Sequence, residues 1–315
     1  MRRERRIWDK YLKKFTSRLE GRLLEPLKKI IIEKEAETIS QIFGKLETAG
    51  IIGEDFRKML VDIMAYTIFD RFYWKLRSLD EDPVAEFKRF KSTITNIDDY
   101  LDGDLIYYAL KDECKDMGKI NRVTIERIIS TLNYTAEIVK RIRRPTLIEV
   151  AKNFRSYVMF NVSKDMPEKL YVRKAGYFGL LTSTLIRDVE SALESLRLSI
   201  IALPFGEQQV ANNYLYILGK ILKIWNIKVE SNLKPALEPG IAEVLLSLGL
   251  TDKKLENMDY TSAQYLAYLR IAETLFPEDP TKIMVLRRVA EEWCYAGEWK
   301  RCGECWLNSS CPKEY

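Results

Sequence analysis

The 315-residue chain has no histidine. It therefore lacks the side chain that titrates nearest neutral pH and the commonest metal ligand, which leaves any chemistry to carboxylates, lysines, tyrosines or thiols. Strict apolar–polar alternation is missing over any strand-length stretch, so the pattern excludes a sheet protein. The opening "MRRERRIWDK" has no apolar run long enough for a signal peptide or a membrane span, and the expectation is a cytoplasmic chain with no membrane partner. Cysteine is scarce too, at five residues. Four of these fall in one short stretch, Cys294, Cys302, Cys305 and Cys311.

Apolar side chains instead recur at helical spacing, as with Tyr66, Phe69, Tyr73 and Leu76 in "YTIFDRFYWKLR", which predicts an all-α chain with these aromatics in the core. Breaks carrying Pro or Gly next to a capping or charged residue occur at "SLDEDPVAEF", "YLDGDL", "RRPTLIE", "KDMPEKL", "ALPFGEQ", "ALEPGIA" and "FPEDPTK". They divide the chain into roughly ten helices with short joints. With 47% apolar residues a substantial core can form, and the length suggests two domains. The boundaries read are 1–169 for an N-terminal helical region, 170–290 for a second helical region and 291–315 for the cysteine loop.

The formal charge of +5 is unevenly placed. Residues 1–29 hold eleven Lys/Arg, among them Arg2, Arg3, Arg5 and Arg6, against four acids, a local charge of +7, and the remainder sums to −2. Such an arm is either a solvated helix face or a phosphate-neutralising DNA contact. The acidic "DDYLDGD" fails as a calcium loop, because Tyr100 and Ala109 stand where oxygen ligands are needed. It is read as a turn. "KRIRRPT" places cations at a helix end, where the helix dipole favours them, with a phosphate contact as the alternative. Cys114 is read as a buried thiol.

The four clustered cysteines are spaced Cys-x7-Cys-x2-Cys-x5-Cys. Zinc fingers and ribbons use two separate short-spaced pairs, whereas here one pair is flanked by a cysteine on each side. This pattern favours a four-thiolate [4Fe–4S] cluster, with zinc or unmetallated thiols as the alternatives. Trp293, Trp299 and Trp306 are expected to shield the site from water.

"KRCGECWLNSSC" resembles the iron–sulfur loop of the endonuclease III/MutY branch of the helix-hairpin-helix DNA glycosylases, whose pattern is C-x6-C-x2-C-x5-C. Here the first gap is one residue longer. The resemblance extends upstream over residues 170–315, in the order Lys-Ala helix (Lys174-Ala175), hairpin ("LPFGEQQVANNYLYILG"), carboxylate helix ("ALEPGIAEVLLSLGLTDK") and cysteine loop. It implies a glycosylase-like helical fold that binds DNA. The hairpin would meet a phosphate through Pro204, Gly206, Gln208 and Gln209, and Glu238 would take the place of the catalytic carboxylate. That carboxylate stabilises an oxocarbenium-like sugar while the base is flipped into a pocket.

Two departures qualify what the resemblance implies. Phe205 and Glu207 stand where the family has glycines, and a carboxylate at Glu207 would repel phosphate. Gln209 stands where the bifunctional members carry the Schiff-base lysine, so no lyase activity is expected there. Other readings implied are a DNA- or partner-binding homologue without excision, and a helical interaction module with a structural metal loop.

Overall fold

A computed structural model describes residues 24–53, 55–75, 82–251, 254–294, 301–309 and 311. The basic arm with Arg2, Arg3, Arg5 and Arg6 lies outside these residues, as do Leu76, Trp299 and the side chain of Tyr73. Every regular element among the described residues is helical, as the periodicity predicts. None of these helices is long and apolar enough to cross a membrane.

Contacts gather the described residues into two units. One comprises the residues up to Gln41 and those from Leu233 onward; the other runs from Ile42 to Asn232. The segment 170–290 is thereby shared, its part up to Asn232 in one unit and the rest in the other. Helix α1, Leu24–Thr48, spans the point of division at Gln41.

The Ile42–Asn232 unit is built from α2 (Phe56–Lys75), α3 (Pro83–Thr93), α4 (Gly103–Tyr108), α5 (Arg122–Lys140), α6 (Leu147–Tyr157), α7 (Glu168–Ser183), α8 (Val189–Ala202) and α9 (Gln208–Tyr216). The starts follow local chemistry. Asp82, Asp102, Asn121 and Thr146 accept hydrogen bonds from backbone N–H groups of the first turns of α3, α4, α5 and α6, donors that would otherwise have no partner. Asp188 and Ser191 form a reciprocal capping box on α8. The "DDYLDGD" stretch is the turn expected of it, with Asp99 accepting from Thr95 and Asn96 N–H and Asp102 capping α4.

The two described members of the predicted row, Tyr66 and Phe69, are core. Tyr66 and Phe69 of α2 meet Phe87 of α3 edge-on, at 5.6 and 5.5 Å between ring centroids. Asp62, fully buried, takes both Lys58 and Lys91 at 2.8 Å and the Tyr100 hydroxyl at 2.7 Å. A carboxylate without water needs such partners, and here they tie α2 to α3 and to the turn before α4.

Between α8 and α9 lies the hairpin. Leu203 ends α8, Gly206 N–H returns to Leu203 O at 2.9 Å, and Glu207 starts α9. A Cβ on Gly206 would stand 1.8 Å from Ile200 O and 2.7 Å from Ile201 O, so glycine is required for close approach of two backbones.

Cys114 is buried as expected, just past the 109–113 π-type turn, with its thiol donating to Glu86 O at 3.5 Å. Burial, with a further push from the Glu86 charge, drives this thiol up to about 12.

Gly206→Ala should therefore cost about 3 kcal/mol or more, read as a lower midpoint in urea unfolding. The Cys114 shift gives a second expectation. The unfolded thiol titrates at about 8.5, so the unfolded chain loses that proton first. The stability Cys114 contributes is complete below that pH and declines as pH rises toward about 12. Cys114→Ala should flatten that alkaline decline in unfolding free energies measured from pH 8 upward.

Candidate metal centre

The other unit takes the first part of α1 together with α10 (Pro239–Ser247), α11 (Ala263–Leu275) and α12 (Val285–Val289), the last continuing into a π-type turn over Ala290–Cys294. Helix α10 begins where the sequence puts Pro at its first position, and Glu238 is its extended N-terminal flanking residue. Its end is fixed by "SLGL". Gly249 takes a positive φ of 66°, its N–H returns to Leu246 O, and Leu250 N–H returns to Leu245 O, both at 2.9 Å. This closing motif satisfies two of the final carbonyls and leaves that of Ser247 for other partners.

The four clustered cysteines line one cavity that is partly open to solvent. Val244, Leu248, Val289 and Leu307 give it apolar walls, and Trp293 closes one side. None of the four cysteines is in a disulfide. Cys294 ends the 290–294 turn, Cys302 and Cys305 bracket one 3₁₀ turn with Cys305 N–H on Cys302 O at 3.3 Å, and Cys311 N–H bonds Leu307 O at 2.7 Å. Arg301 ties the loop back, its N–H reaching Trp293 O at 3.2 Å and its guanidinium Glu292 O at 2.8 Å.

Among the described residues, no three His, Cys, Asp or Glu side chains are gathered closely enough to hold a single metal ion. The thiols nonetheless lie within electrostatic reach of one another. Burial pushes the Cys305 thiol above the ordinary thiol range, the Leu307 N–H at 3.4 Å draws it back, and Cys294, Cys311 and Cys302 push it up again. Ser247 receives two of them, Cys294 Sγ on its hydroxyl at 3.6 Å and Cys311 Sγ on its carbonyl at 3.3 Å.

Trp306, within the loop, has its ring centroid 4.8 Å from that of Trp293. Lys34 and Arg288 lie over its ring at 4.7 and 4.5 Å, and Arg288 pairs with Glu292 and Glu37. Of the three tryptophans expected around the loop, these two do pack together.

Glu238 is 1% exposed, and Arg287 of α12 donates to its Oε1 at 3.2 Å while also holding Glu291 at 2.9 Å. The chain leading to it is pinned by buried tyrosines, Tyr265 on Pro235 O and Tyr268 on Ala236 O. The Tyr268 phenol is pushed well above its ordinary range by burial, then by Tyr265 and the Glu238 charge.

Of the hairpin residues expected to meet DNA, Pro204, Gly206, Gln208 and Gln209 are all buried. Gln208 accepts from Asn212, while both amide atoms of Gln209 lack a hydrogen-bond partner among the protein groups. Several backbone groups of the turn are taken internally. Phe205 N–H bonds Thr131 Oγ1 at 2.8 Å, Lys174 of α7 donates to Ile201 O at 2.7 Å and also to Gly206 O, and the Phe205 ring stacks on Phe72. Glu207, expected to repel phosphate, is exposed and paired with Arg71 at 2.7 Å.

Sequence reasoning missed Arg71, Arg287 and Ser247. Arg287 carries an i, i+4 Glu signal toward Glu291, but its link to Glu238 spans 49 positions and has no local signature. The fold and its four-thiol cavity thus define an all-helical protein with a candidate metal centre. Compared with models of known families, with curated proteins and with solved structures, the chain matches none.

Leaving Glu238 buried without its cation should be costly. Arg287→Met is expected to lose about 3–5 kcal/mol, and Glu238→Gln in the same chain should recover part of it, as a double-mutant cycle of thermal or urea unfolding would measure.

Proposed function

We propose that this chain is a DNA-binding iron–sulfur protein of glycosylase-like build, with Cys294, Cys302, Cys305 and Cys311 as ligands of a [4Fe–4S] cluster. The observation that carries the reading is that all four thiols line one apolar-walled cavity. One Cys-x2-Cys pair flanked by a cysteine on each side fits a four-thiolate cluster better than the two short-spaced pairs of zinc sites. The Leu307 N–H on Cys305 and the Trp293 ring in the cavity lining add the hydrogen bonding and burial by which a protein tunes such a centre. When bound, the cluster supplies a cross-link that joins the end of the 290–294 turn to the C-terminal loop.

DNA binding is supported by the order of the helices. A Lys-Ala helix, a helical hairpin, a helix opened by a buried carboxylate and the cysteine loop follow one another as the resemblance implies. Lys174 of the first station holds the turn of the second. The basic arm supplies phosphate-neutralising charge, and the buried hairpin residues shape the turn, leaving direct contacts to exposed side chains.

In the excising form of this reading, Glu238 stabilises the oxocarbenium-like sugar and assists water, releasing the flipped base and leaving an abasic site. A second reading, binding without excision, is favoured by the burial of Glu238 and its ion pair with Arg287.

Protein purified without oxygen should show a broad shoulder near ~400 nm and about four irons per chain. Duplex affinity should fall with log salt by a slope of ~0.9 per phosphate contacted. Base release by the wild type that is lost in Glu238→Gln, with unchanged binding, supports excision; binding without release supports the second reading. Stoichiometric zinc would end the iron–sulfur assignment, and salt-insensitive absence of binding the DNA assignment.

A further inference from the structure

Ser247 is the last residue of α10 and is 6% exposed. It meets the first and last cysteines of the cluster of four, and it does so with different groups. Cys294 approaches its side-chain hydroxyl at 3.6 Å, and Cys311 its backbone carbonyl at 3.3 Å.

These two contacts respond differently when the thiols give up their protons to a metal centre. A hydroxyl carries both a donor and acceptor lone pairs, so Ser247 can turn its O–H toward the Cys294 thiolate and keep the bond with its direction reversed. A carbonyl oxygen only accepts, so a thiolate gains nothing from it and Cys311 is released to turn toward the cavity. The carbonyl is available in the first place because the Gly249 motif leaves it out of its own bonding.

We infer that Ser247 is the positioning residue of the metal centre, its hydroxyl orienting Cys294 as a ligand and setting how readily the bound cluster accepts an electron. The inference rests on the iron–sulfur reading and deepens it. A hydrogen bond donated to a ligand sulfur draws charge off it and favours the more electron-rich state of the centre. Groups that orient ligands in this way commonly carry about 10–100-fold in metal retention.

The test compares wild type, Ser247→Ala and Ser247→Thr as full chains purified without oxygen. Protein-film voltammetry, in which the electrode supplies or takes the single electron, gives the midpoint potential. Iron release to a chelator gives retention, and circular dichroism monitors the fold. The expected result is a potential shifted to more negative values in Ser247→Ala with about tenfold faster iron release, and return toward wild type in Ser247→Thr, which restores the hydroxyl. A folded Ser247→Ala that binds no iron, while Ser247→Thr retains it, supports the inference equally. A cluster present in all three with unchanged potential and retention overturns it and leaves the iron–sulfur reading standing. Loss in both variants also overturns it, since packing and not the hydroxyl would then be at work. A wild type without iron overturns the iron–sulfur reading, and this inference with it.

Discussion

The candidate metal centre depends on α10 being tied to the α12 segment at both of its ends. At the start of α10, Glu238 takes the Arg287 guanidinium; at its finish, Ser247 takes the Cys294 thiol. The two segments therefore run in the same direction, and whatever fixes the register of one fixes the other. Both ties lie in largely buried surroundings, where an unpaired carboxylate or an unanswered carbonyl costs far more than in water. The "SLGL" ending stops α10 with the Ser247 carbonyl outside its closing bonds, and that carbonyl takes the Cys311 thiol.

Arg288, next along from Arg287, extends the same logic toward α1. Its guanidinium pairs with Glu292 and Glu37 and lies over Trp306, while Lys34 lies over the same ring. The cysteine loop is thus held by cation–ring contacts and ion pairs as well as by its own turns. Neighbouring arginines serve opposite ends of the arrangement, one at Glu238 and one at the Trp306 knuckle between Cys305 and Leu307.

The hairpin in the Ile42–Asn232 unit solves a different problem. A tight turn between α8 and α9 exposes backbone groups that helices cannot satisfy, and here side chains from elsewhere in the unit supply partners. Thr131 takes the Phe205 N–H and Lys174 takes two carbonyls. Arg71 neutralises Glu207, so the carboxylate that the sequence shows as an isolated negative charge is paired in the structure.

How much was legible in advance follows from the range of each force. Helix starts at Asp82, Asp102, Asn121 and Thr146, the break at Pro239, the turn at "DDYLDGD" and the grouping of four thiols are decided within a few residues by capping, proline geometry and spacing, and the sequence carries them. The all-helical class follows from periodicity for the same reason. The pairing of Glu238 with Arg287 and of Glu207 with Arg71, and the meeting of Cys294 and Cys311 on Ser247, join residues between 47 and 136 positions apart, and the burial of Gln209 likewise depends on distant elements. No local propensity encodes such pairs. Packing of whole helices decides them, because a buried charge or thiol takes whichever partner the tertiary fold sets beside it.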